Sequence, residues 1–144
     1  MWFNPIMKWL LASPFKAMVD QNTMLVTYQG RRSGNTFQTP VNYIRDADNP
    51  TRLYTTSSSD RSWWRNFRAG GAARLQVKSQ DLPALGEVAE SSQQVAALLA
   101  KICTAAPNFA GFFKVQRQAS GDWDPQGLLA AAQGRVVVVW TLES

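Results

Sequence analysis

Residues 24–45, MLVTYQGRRSGNTFQTPVNYIR, hold two stretches that read as strands on either side of a glycine-bounded turn. Met24, Val26 and Tyr28 alternate with Leu25 and Thr27, a period of two that predicts a strand. Thr39 to Arg45 predicts the next one. Pro40 belongs near its start or at a bulge, because proline gives no N–H to a ladder. Between them, Gly30 and Gly34 bracket Arg31, Arg32 and Ser33. That turn has two readings. It is a surface hairpin whose arginines keep the tip soluble, or it is a hand for an anion. In the second reading the guanidinium forks clamp phosphate, the glycines let the backbone approach, and Ser33 adds a hydroxyl.

Working outward, DADNP (46–50) reads as a turn and TRLYTTS (51–57) as a third strand. In AARLQVKS (72–79), Ala73, Leu75 and Val77 point one way and Arg74, Gln76 and Lys78 the other. LGEVAE (85–90) is a fifth strand. RVVVVW (135–140) is apolar on both faces, which predicts a buried central strand. Residues 60–69 predict a short helix stopped by Gly70-Gly71. Residues 91–103 predict another, with Val95, Leu98, Leu99 and Ile102 on one stripe and Ser91 or Ser92 as cap. One or two short helices are expected within 108–133. About six mostly antiparallel strands with peripheral helices make a mainly β (α+β) barrel. No repeat or linker interrupts it, so one domain, 1–144, is expected: an N-terminal helix within 1–19 and the barrel over 20–144. Residues 4–19 form that helix, with Asn4 as cap and Pro5 in its first turn. Its face of Ile6, Trp9 and Leu10 packs on the domain or on a second subunit in a homodimer, or else lies on a membrane surface. Lys8 and Lys16 interrupt it well short of a spanning length. The chain is read as cytoplasmic, with membrane association through residues 4–19 as the alternative.

The 144 residues carry a net charge of +5, with 45% hydrophobic residues. A basic surface favours nucleic acid, anionic lipid or a phosphorylated small molecule. Nucleic acid is disfavoured because the aromatics sit mostly on helices rather than on a strand face. There is no histidine and one cysteine, Cys103. That rules out an internal disulfide and triads that need histidine, and no metal site is expected. An enzyme of this composition would leave the hard chemistry to a cofactor, and no side chain is named as catalytic. A second anion-ready segment is DRSWWRNFRAGG (60–71). Helical spacing puts Trp63 with Phe67, Arg61 with Arg65 and Arg68, and Trp64 against Arg68. Ser57-Ser58-Ser59-Asp60 would supply hydroxyls and N–H groups at its N-terminus. The plainer alternative is a solvated basic face over a tryptophan anchor, with Asp60 as cap.

Together, residues 24–46 and TTSSSDRSWWRNFRAGGAARLQV (55–77) resemble the deazaflavin-dependent nitroreductase family of bacteria, a branch of the flavin- and deazaflavin-binding split β-barrels. Its members typically read L-x-T-x-x-G-R-K-S-G, then T-P or N-P, then W-Y-x-N-L-x-A-N-P followed by V-x-V-Q. Gly30, Arg31, Arg32, Ser33 and Gly34 match the first motif, with arginine for lysine. Thr39-Pro40 matches the pair. Trp63, Trp64, Asn66, Phe67 and Ala69 match the third, with Trp for Tyr and Phe for Leu. The resemblance covers roughly residues 20–80. It implies a split barrel that binds coenzyme F420, with FMN as the alternative. Arg31, Arg32, Ser33 and Gly34 would grip phosphate. Thr39, Pro40 and Val41 would lie along the ring, and Ser57, Ser58, Ser59 and Trp63 would close the pocket. The implied activity is hydride transfer to a small electron acceptor (a quinone, nitro compound or activated alkene), with a non-catalytic carrier as rival. Two departures stand out. Ser57-Ser58-Ser59 replaces a frequent Gly-Gly pair. The tyrosines that relatives place near substrate are missing from residues 103–133, where Phe109, Phe112, Phe113 and Trp123 are expected to wall the acceptor space instead.

Overall fold

In the computed structural model, which describes residues 23–143, the alternating stretch becomes β1 (Thr23–Gln29). The expected helix over 4–19 lies outside the described residues. The chain returns as β2 (Thr36–Asn42), antiparallel to β1 with Val26 opposite Thr39. This strand starts three residues before the expected Thr39 and does not run straight to Arg45. It breaks at Tyr43 and resumes as β3 (Ile44–Arg45), which pairs with β4 (Arg52–Ser58) instead of β1. Pro40 sits on β2 at the end of the sheet order, the kind of position where a sheet tolerates proline.

The sheet order is β2-β1-β5-β6-β7-β4-β3, and every neighbouring pair is antiparallel. Its two ends are consecutive in sequence, so one bent strand closes the sheet into a split barrel. Counting β2 and β3 as that one strand gives the six expected. A side chain bridges the split where main-chain pairing stops. Asn42 Nδ2 donates to the Thr56 carbonyl (3.2 Å), and the Thr56 N–H donates to Asn42 Oδ1 (3.2 Å). Thr55 Oγ1 donates to the Asn42 carbonyl at 2.7 Å.

β5 (Gly71–Val77) buries Ala73, Leu75 and Val77 and exposes Arg74, as its alternation predicts. β6 (Gln80–Ala89) is longer than the expected 85–90, and Pro83 lies within it. It follows β5 through Lys78 and Ser79, both at positive φ (48° and 70°), the backbone a two-residue hairpin needs. β7 (Arg135–Leu142) lies between β6 and β4. Its Val136, Val138 and Trp140 enter the barrel's inner core with Met24, Leu53 and Phe67. Its Val137 faces a second core with Ile44, Tyr54, Val95, Leu99 and Ile102.

That outer core is covered by α1 (Ser92–Ala105), α2 (Asn108–Phe113) and α3 (Pro125–Ala132). Ser91 caps α1 by accepting the Gln94 N–H at 3.2 Å. Asp124 caps α3, whose Pro125 fills the first turn. The helix expected over 60–69 is a 3-10 helix, Trp63–Phe67. At three residues per turn its buried pair is Trp64 and Phe67, and Trp63 stays half-buried at the rim. No helix among the described residues is long and apolar enough to cross a membrane.

Candidate functional site

Three clefts follow one another along one side of the barrel. The first, about 390 Å3, is lined by the turn residues Gly30, Arg31, Arg32 and Ser33, by Phe37, and by Ser62, Arg65, Asn66 and Arg68 of the 3-10 segment. The turn is closed by the Gly30 N–H to the Asn35 carbonyl (2.8 Å) and the Gly34 N–H to the Gly30 carbonyl (3.0 Å). Gly34 has φ +70°, a conformation that suits glycine. Asn66 ties the turn to the 3-10 helix: its Oδ1 accepts the Arg31 N–H at 3.0 Å, and its Nδ2 donates to the Trp63 carbonyl at 2.8 Å. The two motifs, 35 residues apart, thus meet as one wall. Arg68 is held by Glu90 in a fork with bonds of 2.9 and 3.0 Å, and that bond raises its pKa. Among the described residues Arg31, Arg32 and Arg65 form no ion pair. Exposed guanidinium groups on a shared cleft suit a phosphate or carboxylate ligand.

The second cleft, about 380 Å3, opens at the split between β2 and β4. Thr39, Pro40, Val41, Asn42, Thr56, Ser57 and Ser58 line it with Arg61 and Trp63. Ser62 lines the first cleft, and its neighbours Arg61 and Trp63 line the second. Trp63 is fixed from two sides. Its Nε1 donates to Ser57 Oγ at 3.2 Å, and its ring stacks on Trp140, 6.4 Å between centroids and 12° from parallel.

The third cleft, about 480 Å3, shares Asn42, Thr56, Ser57 and Ser58 with the second and adds Phe109, Phe112, Gly134 and Arg135. Phe112 is 71% exposed at its rim. Arg135 is partly buried, with its guanidinium carbon 4.6 Å from the Phe113 ring centre and 5.9 Å from that of Phe112.

Most of the expected site residues line these clefts, and some do not. Arg31, Arg32 and Ser33 are on the first, and Thr39, Pro40, Val41, Ser57, Ser58 and Trp63 on the second. Gly34 shapes the turn without lining it. Ser59 lines none of the three clefts, and its N–H donates to the Gly134 carbonyl at 2.9 Å. The helix expected to start near Asp60 starts at Trp63 as a five-residue 3-10 helix with Ser62 at its N-cap, so Ser57-Ser58-Ser59-Asp60 do not stand at its N-terminus. Asp60 instead accepts from Ser58 Oγ. Phe109 and Phe112 wall the third cleft, whereas Phe113 is core beneath Arg135. Trp123 lies elsewhere, under the Arg117 guanidinium at 4.0 Å and bonded to Thr104 Oγ1. Sequence reading missed Asn42, Thr56 and Arg135. For Arg135 a signal existed, since a charge opens an otherwise apolar strand.

No curated protein matches the chain. Among solved structures, an F420-H2-dependent reductase aligns with a TM-score of 0.52 at 17% identity over 86% of this chain and 96% of its own. A structure described as a domain-swapped dimer gives 0.52 at 18% over 86% and 81%. A putative pyridoxamine 5'-phosphate oxidase from Listeria innocua gives 0.54 at 10% over 90% of each. At these identities the likeness shows the split-barrel fold. The sequence model of the F420H(2)-dependent quinone reductase family matches residues 13–119, well over half of the chain. The chain belongs to the F420H(2)-dependent quinone reductase family, and with it to the oxidoreductases that draw on reduced F420.

Proposed function

We propose that the chain passes a hydride from reduced F420 to a small electron-poor acceptor, namely a quinone, a nitro compound or an activated alkene. One observation carries this reading: a cleft with three arginines that form no ion pair among the described residues, Arg31, Arg32 and Arg65, lies next to a cleft of mixed apolar and hydroxyl character, which shares a wall with a third, aromatic-lined cleft. The donor set fits the cofactor. Arg31, Arg32 and Arg65 would hold its phosphate and tail carboxylates. Pro40, Val41 and Trp63 would seat the flat ring and keep water from it, with Thr39 and Ser57 hydroxyls at its edge. When bound, reduced F420 supplies two electrons and one hydrogen as a hydride from its ring carbon. Phe109 and Phe112 would seat a flat acceptor in the third cleft, whose size suits one small molecule. No carboxylate, lysine, cysteine or tyrosine lines the second or third cleft among the described residues, so solvent delivers the proton that completes the product. A homodimer fits the same reading, since one solved structure of this fold is described as a domain-swapped dimer.

Separate fluorescence titrations with F420 and FMN test the cofactor, and oxidation of reduced F420 by menadione, nitroaromatics and enones tests the reaction. F420 binding and faster oxidation of bound than of free cofactor are expected. Preference for FMN would make this a flavin reductase of the same fold. Bound F420 oxidised no faster than free F420 across the panel would make it a carrier.

A further inference from the structure

Arg135 opens β7 opposite Ser58 of β4, so it stands one strand away from the wall that the second and third clefts share. Its surroundings set it apart from the other arginines of the site. It is partly buried, and among the described residues its side chain has neither an ion pair nor a hydrogen bond. Its guanidinium lies over the faces of Phe113 and Phe112. Burial alone acts on it, drawing its pKa below the ordinary arginine value, with no carboxylate to restore it. A cation that gives up water without a counter-ion is costly, and the cost is recovered when an anion or a charged transition state sits beside it. A guanidinium lying on an aromatic face keeps its N–H donors around its own edge, free to point into the cleft.

We propose that Arg135 receives the acceptor's oxygen in the third cleft and stabilises the negative charge that reduction places on it. This rests on the hydride-transfer reading above. For a quinone the step balances as follows. The ring takes up a hydride, the C=O π electrons move onto the oxygen, and the resulting oxyanion lies against the guanidinium. Solvent protonates that oxygen, and enolisation then moves the added ring hydrogen, as a proton, through solvent to the second oxygen to give the hydroquinone, while the cofactor, oxidised by the loss of its hydride, releases one proton to solvent. Arginine gives no proton here, since its pKa is far above neutral; it contributes charge and two parallel donors. Acceptors whose reduction leaves charge on oxygen (quinones, nitro groups, enones) are therefore favoured over those that carry it on carbon or nitrogen alone.

The test uses the full chain with Arg135→Gln and Arg135→Lys. Three quantities are read: F420 affinity, kcat and KM for menadione, and equilibrium dialysis of 2-hydroxy-1,4-naphthoquinone, an enolate at neutral pH, against protein loaded with oxidised F420. The glutamine variant should keep F420 affinity, lose about 100-fold in menadione kcat and about 10-fold in enolate affinity, and lysine should recover part of both. An Arg74→Gln protein, changed at an exposed arginine of β5 that lines none of the three clefts, should keep enolate binding. Unchanged enolate affinity and kcat in the glutamine variant would overturn the assignment. So would equal losses in the glutamine and lysine variants that track a lower melting temperature, which would mark a role in holding α2. If the parent protein itself does not speed F420 oxidation, the hydride-transfer reading fails, and enolate binding still decides the role of Arg135.

Discussion

Replacing Gly86 by alanine probes how the core supports the site. Gly86 faces Trp140 across the β6–β7 ladder. A Cβ built there would lie 2.6 Å from Trp140 Cζ3 and 2.9 Å from both Trp140 Cε3 and Phe67 Cδ1. Carbon atoms pack comfortably at about 3.5–4 Å, so one or both rings must move by about 1 Å. Neither has room: Trp140 is 0% and Phe67 1% exposed, and Trp140 Nε1 is pinned to Thr55 Oγ1 at 2.9 Å. Overpacking of this kind costs about 1–3 kcal/mol. Alanine returns about 0.5–1 kcal/mol by restricting the unfolded chain. The net expectation is a loss of about 1–2 kcal/mol, or roughly 3–8 °C in melting temperature. Because Trp63 stacks on Trp140, the disturbance reaches the second cleft, and F420 affinity should fall alongside stability. Urea unfolding followed by tryptophan fluorescence measures the first effect, and cofactor titration the second. Gly111→Ala is the control. It lies on the exposed side of α2, where an added Cβ would meet no atom within 4 Å, and it should gain about 0.5–1 kcal/mol. A Gly86→Ala protein as stable as its parent would refute the account of this core.

Asn42→Ala removes both bonds to the Thr56 backbone and should cost about 1–3 kcal/mol in urea unfolding, since those groups have no ladder partner on that side; no loss would show that the split needs no side-chain bridge. Arg31→Ala/Arg32→Ala should weaken F420 binding by about 1.5–3 kcal/mol for each charge-assisted bond removed while leaving the melting temperature unchanged, and equal affinity by fluorescence titration would remove the turn from the phosphate site. Stability should also depend on pH through the Tyr54–Asp46 hydrogen bond. That bond, with the N–H groups of Asp48 and Asn49, holds Asp46 below its usual 3.8, so its stabilisation is present above pH 4 and lost as acid protonates it. Burial, and then the bond to Asp46, pushes Tyr54 from 10.0 up to about 12, so its stabilisation is present below pH 10 and fades towards pH 12. Melting curves across pH should show both flanks shrink in Tyr54→Phe.

What the sequence made legible is what local chemistry dictates. The strand of valines before Trp140 had to be central because both its faces are apolar, and it is. The cap at Ser91 and the alternation around Leu75 work in the same local way. The turn at Lys78-Ser79 stayed hidden because neither residue is the glycine or asparagine that positive φ usually selects, and Pro83 disguised the strand beyond it. The bend after Asn42 depends on β4 being there to receive β3, which no neighbouring residue reveals. The site divides the same way. The arginine turn and the Trp63–Phe67 segment were visible as motifs. Asn42 and Arg135 acquire their roles only when β2, β4 and β7 come together.

The position of β7 also bears on how the chain is made. During synthesis β1, β2, β5 and β6 emerge first and can form a contiguous sheet, while β3 and β4 make a separate hairpin. Only the bend at Tyr43 and the Asn42 bridge link these two pieces until residues 135–142 appear and pair with both β6 and β4, with Trp140 bonding to Thr55 across 85 residues. Pairings this distant form slowly, and until then two strand edges stand open to other chains. A nascent protein halted before Arg135 therefore carries both halves of a barrel without the strand that pairs with each, and such a fragment should be a stronger substrate for chaperones and proteases than one trimmed elsewhere.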